Sequence, residues 1–380
     1  MTAMLKPMTG GEALTDGEAL SATATATATA TEKRTEAAIR PYRAGDEAAL
    51  VDLFYRSFGH RISEDHWRWK LRGRPSTVDN VWLVPSTDGH PVFHYAGIPN
   101  RFWLSQNQVT SMLAVDAMTA PECRRRGLLT RSVPTIHSAW REGGIAFVLG
   151  LPNNQWGSRT RLLGWQTLFP LQWLIRPLRP SSLLSRHLRL SFLKHLPVDA
   201  PWNRFFQGRL QQDASVHTQR VGVADEAFDR IWERCRGNSM CSTIRDRAWV
   251  QWRFLAAPSR KYVVTLAHRA REPVGYSAHC LIETEQRTAA VLAEMLTEKD
   301  DIAARDTLLH ELIESLLETP AEALATLAVP GTAQFRWLRG AGFFPRRAFS
   351  VEWVPLMAGL PEAMRSAHSW NLSGADFDVV

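Results

Sequence analysis

The chain has 380 residues, of which 45% are hydrophobic and 22% are charged, and its formal net charge at pH 7 is +7. This composition is typical of a globular protein with an ordinary core. No apolar run approaches the ~20 residues that span a bilayer, and the N-terminus lacks the basic and apolar segments of a secretory signal. The four cysteines show neither CxxC pairing nor metal-ligand spacing, so we expect reduced thiols, a cytoplasmic location and no metal.

The first 36 residues contain an alternating Ala-Thr run from Ala22 to Thr31 among Gly, Glu and Lys. Such a segment offers no side chains that can build a core. We therefore predict that residues 1–36 form a disordered tail.

The most informative segment, residues 114–131, predicts a strand, a turn and a helix. An apolar run ends in a proline, and the arginines Arg124, Arg125 and Arg126 precede Gly127 and a helical apolar pattern. At a helix start the first N–H groups have no intrahelical partner and the helix dipole favours negative charge, so phosphate oxygens can dock on the main chain. Gly127 permits close approach or a positive φ, and the arginines add charged donors. The expected ligand is a pyrophosphate.

The pattern Pro121-x-x-Arg124-x-x-Gly127-x-Leu129 resembles the acetyl-CoA pyrophosphate loop of the GCN5-related N-acetyltransferases. In that family an Arg or Gln is followed after two residues by Gly and after one more by Gly or Ala, and Leu129 departs from this pattern. The competing interpretation is a basic helix start with a solvated face. The residues that the resemblance assigns to acetyl-CoA binding are Met118, Thr119, Arg124, Arg125, Arg126, Gly127, Leu128, Leu129 and Thr130.

The neighbouring segments extend this resemblance over residues 37–176. Residues 39–46 are similar to the family's first strand and helix start, with Asp46 as a natural N-cap. Residues 145–149 predict the next strand, and residues 161–165 resemble the helix-to-strand turn that closes the acetyltransferase core. The resemblance implies an α/β fold in which helices flank a mixed central sheet.

A second set of matching segments follows the first at a nearly constant offset. Trp69 recurs as Trp252, 183 residues further on, and Gly164 recurs as Gly342, 178 residues further on. Because the order is kept, we predict two tandem domains of this kind. The predicted organisation is a tail at 1–36, an acetyltransferase domain at 37–176, a connector at 177–220, a second domain at 221–360 and a C-terminal tail at 361–380.

The second domain has lost the features of the loop. An offset of 178 carries the first loop onto residues 302–307, where the glycine is missing and Asp306 stands where phosphate would lie. An acid beside pyrophosphate costs Coulomb energy that a helix dipole worth about 1 kcal/mol does not offset. We expect a degenerate partner domain that walls the acceptor cleft.

The connector concentrates the positive charge of the chain. Between residues 171 and 210, seven Lys and Arg face the single acid Asp199, and leucines and Phe192 interleave them. The simplest interpretation is an amphipathic connector packed between the domains with its basic face in water. The alternatives are contact with an anionic membrane surface or with a phosphorylated carrier. No aromatic platform or helix-turn-helix pattern accompanies the charge, so we expect no nucleic-acid partner.

Acetyl transfer to an amine needs a base, because most amines are protonated at neutral pH, and a carboxylate is the usual choice. Asp116, on the strand before the loop, is the candidate base or acceptor contact; the alternative is a buried hydrogen-bonding role. Strand alternation places Asp116 on the face opposite Leu113 and Val115.

For the proton donor, the resemblance implies a tyrosine in the helix after the next strand. Residues 153–158 contain no tyrosine. Ser158 or a water then protonates the leaving thiolate, or CoA leaves unaided. Asn153 and Asn154 are either contacts to the CoA arm or helix caps.

The resemblance therefore implies an acetyl-CoA-dependent N-acyltransferase that acts on a small amine, such as an amino sugar. Two alternatives stay open. One is a non-catalytic protein that binds acyl-CoA, consistent with Leu129 and the missing tyrosine; the other transfers an aminoacyl or longer acyl group. The sequence makes no prediction of the oligomeric state.

Overall fold

One mixed β-sheet runs through the molecule. The computed structural model describes residues 38–152, 159–284 and 287–378, and the predicted N-terminal tail lies outside them. The strands are β1 (Arg40–Pro41), β2 (Val81–Pro85), β3 (Pro91–Leu104), β4 (Asn107–Thr119), β5 (Ile145–Gly150), β6 (Gln166–Pro177), β7 (Val216–Val221), β8 (Cys241–Thr243), β9 (Tyr262–Arg269), β10 (Glu272–Thr284), β11 (Arg287–Thr297), β12 (Ala321–Ala328), β13 (Phe344–Pro355) and β14 (Trp370–Asn371).

Helices flank this sheet, as the sequence predicted, and the α/β fold class is confirmed. The helices are α1 (Glu47–Phe58), α2 (Glu64–Arg72), α3 (Leu128–Glu142), α4 (Arg159–Leu162), α5 (Pro180–Leu188), α6 (Asp199–Gln207), α7 (Glu226–Cys235), α8 (Arg247–Val250), α9 (Ile302–Leu317) and α10 (Ala333–Gly340). No described helix has the length and apolar character needed to cross a bilayer.

The strand order shows that residues 38–177 (the first half) and residues 216–355 (the second half) share strands. The main path of the sheet runs β1-β2-β3-β4-β5-β13-β6-β12-β11-β10-β9-β7. The last strand of the second half, β13, thus lies between β5 and β6, and β6 pairs with β12 of the second half. The last strand of each half is therefore inserted next to strands of the other half. The domain boundaries stay a prediction, but the two halves cannot separate without breaking this ladder.

Positions that the sequence repeat matches meet each other in space. Leu171 of β6 lies opposite Phe349 of β13, 178 residues further on. The rings of Trp69 and Trp252 stack with centroids 5.4 Å apart. Each indole N–H donates to the carbonyl of the other tryptophan, at 2.7 and 3.0 Å. Reciprocal contacts of this kind are typical of a two-fold relation between two similar units.

Residues 361–378, predicted as a tail, pack against the rest of the molecule. Trp370, Leu372 and Phe377 are buried, and β14 pairs with β8. The segment reaches a fully buried cation, because Asp376 accepts from Arg245 at 2.6 Å. The C-terminal segment is therefore part of the core.

The start of α1 differs from its prediction in one detail. Asp46 occupies the N-cap position, but its side chain makes no capping bond to the helix. Its carboxylate instead accepts from the Arg40 guanidinium at 2.8 Å and from the Arg43 N–H at 2.8 Å. The hydrogen bond from Arg40 lowers the pKa of Asp46. Asp46 fastens β1 to the turn before the helix.

The reciprocal tryptophan contact predicts matched effects of two substitutions. Trp69→Phe and Trp252→Phe each remove one indole donor and leave one carbonyl unpaired, so each lowers the free energy of unfolding by about 1 kcal/mol. Urea denaturation measures both. Trp103→Phe is the control, because the Trp103 indole N–H donates to no described residue, and it leaves the free energy nearly unchanged. A loss confined to one of the two tryptophans would contradict the reciprocal contact.

Candidate functional site

The predicted strand, turn and helix are present at the arginine loop. β4 ends at Thr119, a 3₁₀ turn follows at Pro121–Cys123, and α3 begins at Leu128. Gly127 precedes the helix with a φ of 76°, in the left-handed region that favours glycine. The first turn of α3 contains no acidic residue. Free N–H groups and the positive end of the dipole therefore face the loop, which makes an anion site.

The three arginines of the loop have different partners. Arg124 donates to the carbonyls of Thr119 and Ser57, at 3.3 and 3.4 Å. Arg126 donates to the Glu122 carbonyl at 3.0 Å. Arg125 is exposed, has a φ of 65° and forms no ion pair with any described residue. Arg125 is thus the cation of the loop with the most freedom to meet an anion.

A cleft of about 940 Å³ begins at this loop and extends to the second half. The predicted acetyl-CoA residues that line it are Met118, Thr119, Arg124, Arg125, Gly127, Leu128, Leu129 and Thr130. Arg126 does not line it, and Asn153, Asn154 and Ser158 lie outside the described residues. The far wall comes from α2, from Arg253, Ser259, Arg260 and Tyr262 of the second half, and from Phe377 and Asp378.

A β-bulge places Asp116 in this cleft. His94 lies opposite Met118 and Ala96 lies opposite Val115, so Asp116 and the next residue together face a single residue of β3. Asp116 has a φ of 49°, and the His94 ring Nδ1 donates to its carbonyl at 2.7 Å. Burial lowers the pKa of His94, which keeps this ring neutral. The bulge shifts the alternation of β4 by one residue.

The shifted alternation changes the face on which Asp116 lies. Its carboxylate contacts Lys70 of α2. Trp67 and Leu71 of the same helix pack in one core cluster with Leu113 and Val115 of β4. Asp116 therefore lies on the side of Val115, and the expectation of the opposite face was wrong because alternation fails across a bulge.

Lys70 links Asp116 to the C-terminal segment. Its ammonium lies 2.9 Å from the Asp116 carboxylate and also donates to Asp378. The side chain of Lys70 is only 4% exposed, and that of Asp116 9%. Burial lowers the pKa of Lys70, but the charges of Asp116 and Asp378 outweigh it and raise the pKa above its usual value. Lys70 is therefore charged at neutral pH.

His66 lies one helical turn before Lys70 on the same cleft wall. Its Nδ1 is 2.7 Å from the Ser259 hydroxyl oxygen of the second half. Burial and the charge of Lys70 lower the pKa of His66, against the opposing charges of Asp378 and Asp116. In the tautomer whose Nδ1–H donates to the Ser259 oxygen, the Nε2 lone pair of the neutral His66 ring is available as a base.

The sequence analysis missed most of this polar cluster. Lys70 and Asp378 lie 308 residues apart, and His66 and Ser259 lie 193 residues apart. No local motif marks any of them. The repeat was the only available signal, because it predicts that the second half approaches the first.

Comparison with known proteins places this geometry in a fold family. No protein-family model and no curated protein sequence matches the chain. A GCN5-related N-acetyltransferase from Anabaena variabilis superposes with a TM-score of 0.61 at 12% identity, over 84% of this chain and 73% of that one. A GCN5-related N-acetyltransferase from Kribbella flavida gives 0.57 at 12% identity, over 83% and 70%.

A third solved structure, from Enterococcus faecalis, is a conserved protein of unknown function described as a probable N-acyltransferase. Its TM-score is 0.60 at 10% identity, over 84% of this chain and 72% of that one. This chain has the GCN5-related N-acetyltransferase fold. Because each match covers more than four fifths of the chain, the similarity extends over both halves of this acetyltransferase fold.

Within this acetyltransferase fold, the buried ion pairs of Lys70 predict a large stability effect. Lys70→Met leaves the Asp116 carboxylate buried without its counter-charge, so it lowers the free energy of unfolding by about 3–5 kcal/mol. Urea denaturation at neutral pH measures the loss. Arg68→Met is the matched control on the same helix, because Arg68 is exposed and pairs with Glu64 at the surface. Equal losses in the two variants would contradict the buried-pair interpretation.

Proposed function

We propose that this protein is an acetyl-CoA-dependent N-acyltransferase that acts on a small amine. One observation carries the proposal: a single continuous cleft has an anion-binding helix start at one end and the polar cluster of His66, Lys70, Asp116 and Asp378 at the other. The acetyltransferase fold supports the same reaction class. The reduced thiols expected of the four cysteines favour the cytoplasm as its location.

The loop fits the pyrophosphate of CoA. A Cβ added to Gly127 would meet only the Thr130 hydroxyl oxygen, at 3.5 Å, so the backbone is open to a ligand on that side. Pyrophosphate oxygens accept from the N–H groups at the start of α3 and from Arg124 and Arg125. Met118 and Thr119 line the path from this loop towards the bulge of β4.

The residues of the polar cluster have different roles towards the acceptor amine. Asp116 and Asp378 already neutralise Lys70, and their remaining lone pairs can accept hydrogen bonds from an amine. His66 accepts the proton that the amine loses, since a neutral imidazole is a suitable base near pH 7. The amine nitrogen attacks the thioester carbonyl, the C–N bond forms and the C–S bond breaks. The thiolate takes a proton from Ser158 or from water.

We propose that the second half binds no CoA. Asp306 at its matched position accepts from the Gln211 N–H at 3.0 Å and from the Trp337 indole at 2.7 Å. The chain's own donors thus occupy the carboxylate that stands where phosphate would lie. The second half instead supplies Ser259, Arg260 and Tyr262 to the cleft wall.

A non-catalytic acyl-CoA-binding protein is the second candidate function. Leu129, at the position where the acetyltransferase pattern has Gly or Ala, favours it. A transferase of aminoacyl or longer acyl groups is the third, and competition between acyl donors separates it from an acetyltransferase.

The loop provides the test of the proposed function. The wild-type protein releases CoA from acetyl-CoA when a panel of small amines is supplied. Gly127→Asp abolishes CoA binding, because it puts a negative charge where phosphate approaches. Gly127→Asn is the matched control, since Asn and Asp have the same shape and both tolerate a positive φ. It therefore retains much more affinity than the aspartate variant in calorimetry.

Three outcomes of that experiment would contradict the proposal in different ways. Equal CoA affinity of the Asp and Asn variants would contradict the assignment of the pyrophosphate to this loop. CoA binding without turnover of any amine would favour the binding protein. Two equivalent CoA molecules per chain would overturn the assignment of Asp306 and the second half.

His66 predicts the acid side of the pH profile. His66 accepts a proton only when neutral, and burial together with the charge of Lys70 lowers its pKa, so it stays neutral to a lower pH than an ordinary histidine. The rate therefore falls as the pH falls through this pKa. His66→Gln lowers kcat by about 10²- to 10⁴-fold and removes that limb of the profile. His90→Gln, on an exposed turn, is the control and keeps the wild-type kcat and the acid limb of the pH profile. An unchanged pH profile in the His66 variant would show that another group is the base.

A further inference from the structure

Exposed apolar side chains concentrate in one segment of the connector. Thirteen large hydrophobic residues are exposed in the described part of the chain, and six of them lie between residues 184 and 198. Phe192 is 62% exposed and Leu188 is 50% exposed. The residues of this 184–198 surface are Leu184, Leu188, Leu190, Phe192, Leu196 and Val198. Exposed apolar side chains concentrated in so short a segment are typical of an interaction site.

The backbone beneath the 184–198 surface is held in place by polar contacts. α5 is followed by a 3₁₀ turn at Ser191–His195 that packs against it. The Asp199 carboxylate accepts from the Ser181 N–H at 2.8 Å and from the Ser181 hydroxyl at 2.7 Å. Arg186 donates to both carboxylate oxygens of Glu322, at 2.6 and 2.7 Å. The segment is thus anchored to the second half while its apolar side chains face outwards.

Three of the seven Lys and Arg between residues 171 and 210 form contacts inside the fold. Arg176 is fully buried and donates to the Ala341 carbonyl and to Asn203. Arg179 donates to three carbonyls that follow α9 or end it. Arg186 is paired with Glu322. The net charge summed over residues 171–210 is therefore larger than the positive charge that is exposed at the surface.

Two cations remain on the 184–198 surface without a counter-charge. Arg189 and Lys194 are exposed and form no ion pair with any described residue. The single acid of residues 171–210, Asp199, accepts hydrogen bonds from Ser181. The surface therefore presents apolar side chains and positive charge, with no exposed acid to repel an anion.

We propose that the 184–198 surface binds the face of an anionic phospholipid bilayer. Its leucines and Phe192 enter the boundary between headgroups and acyl chains, and Arg189 and Lys194 meet the phosphate groups. The simpler interpretation, a connector with its basic face in water, accounts for the exposed cations but not for the six exposed apolar residues. None of these residues lines the cleft, so the surface anchors the protein and takes no part in the chemistry.

Vesicle sedimentation of the full chain tests this proposal. The wild type binds vesicles of phosphatidylcholine mixed with phosphatidylglycerol, binds phosphatidylcholine alone far less, and is released by salt. Arg189→Gln with Lys194→Gln weakens binding about thirtyfold. Leu188→Ser with Phe192→Ser also weakens it, because insertion of apolar area is lost. Arg271→Gln with Lys299→Gln removes the same charge from exposed sites elsewhere and leaves binding unchanged.

Several results would overturn the proposal while leaving the acetyltransferase test intact. Failure of the wild type to bind anionic vesicles is the first. Loss of binding in the charge variant but not in the serine variant would point to a soluble phosphorylated partner. Vesicle binding only after deletion of residues 1–36 would show that the chain's own N-terminus covers the surface. Concentration-dependent dimers that the serine variant abolishes would assign the surface to a second copy.

Discussion

The antiparallel pairing of β6 with β13 is the constraint on which the rest of the molecule depends. It inserts the last strand of each half into the sheet of the other and brings Leu171 opposite Phe349. This pairing fixes the position of one half relative to the other. As a result, α2 meets the matched helical segment of the second half at Trp69 and Trp252. That approach carries the Ser259 region to the cleft of the first half. The proposed acceptor end of the cleft is thus a consequence of the strand exchange.

The C-terminal segment completes this end with Asp378, a partner for the buried charge of Lys70. Lys70 would be a costly residue in a core without its carboxylates, since removal of an ammonium from water is expensive unless it is paired. One partner comes from the β4 bulge and the other, Asp378, from the end of the chain. The same three charges that stabilise the fold also give the cleft its polarity. Stability and the proposed binding of the acceptor therefore depend on the same residues.

The sequence predicted the parts of the site that lie within one local motif. Gly127 and its arginines form such a motif, and the structure has the expected turn and helix start. Asp116 was placed in the cleft region but on the wrong face, because a bulge cannot be read from strand alternation. His66 was missed since its partner Ser259 lies 193 residues away. The charges of residues 171–210 were counted correctly, but a count does not show that Arg176 is buried and that Arg186 is paired.

Matched positions in the two halves form similar acid–cation–acid clusters that differ in their exposure to the cleft. Glu294 lies 178 residues after Asp116 and pairs with Arg245, which also binds Asp376, just as Lys70 binds Asp116 and Asp378. The side chains of Arg245, Glu294 and Asp376 are at most 2% exposed, whereas Asp378 is 37% exposed at the cleft. A sealed acid–cation–acid cluster can only hold the fold together. The open one retains lone pairs that the proposed amine can reach, so the exposure of Asp378, rather than the identity of the charges, separates the two clusters.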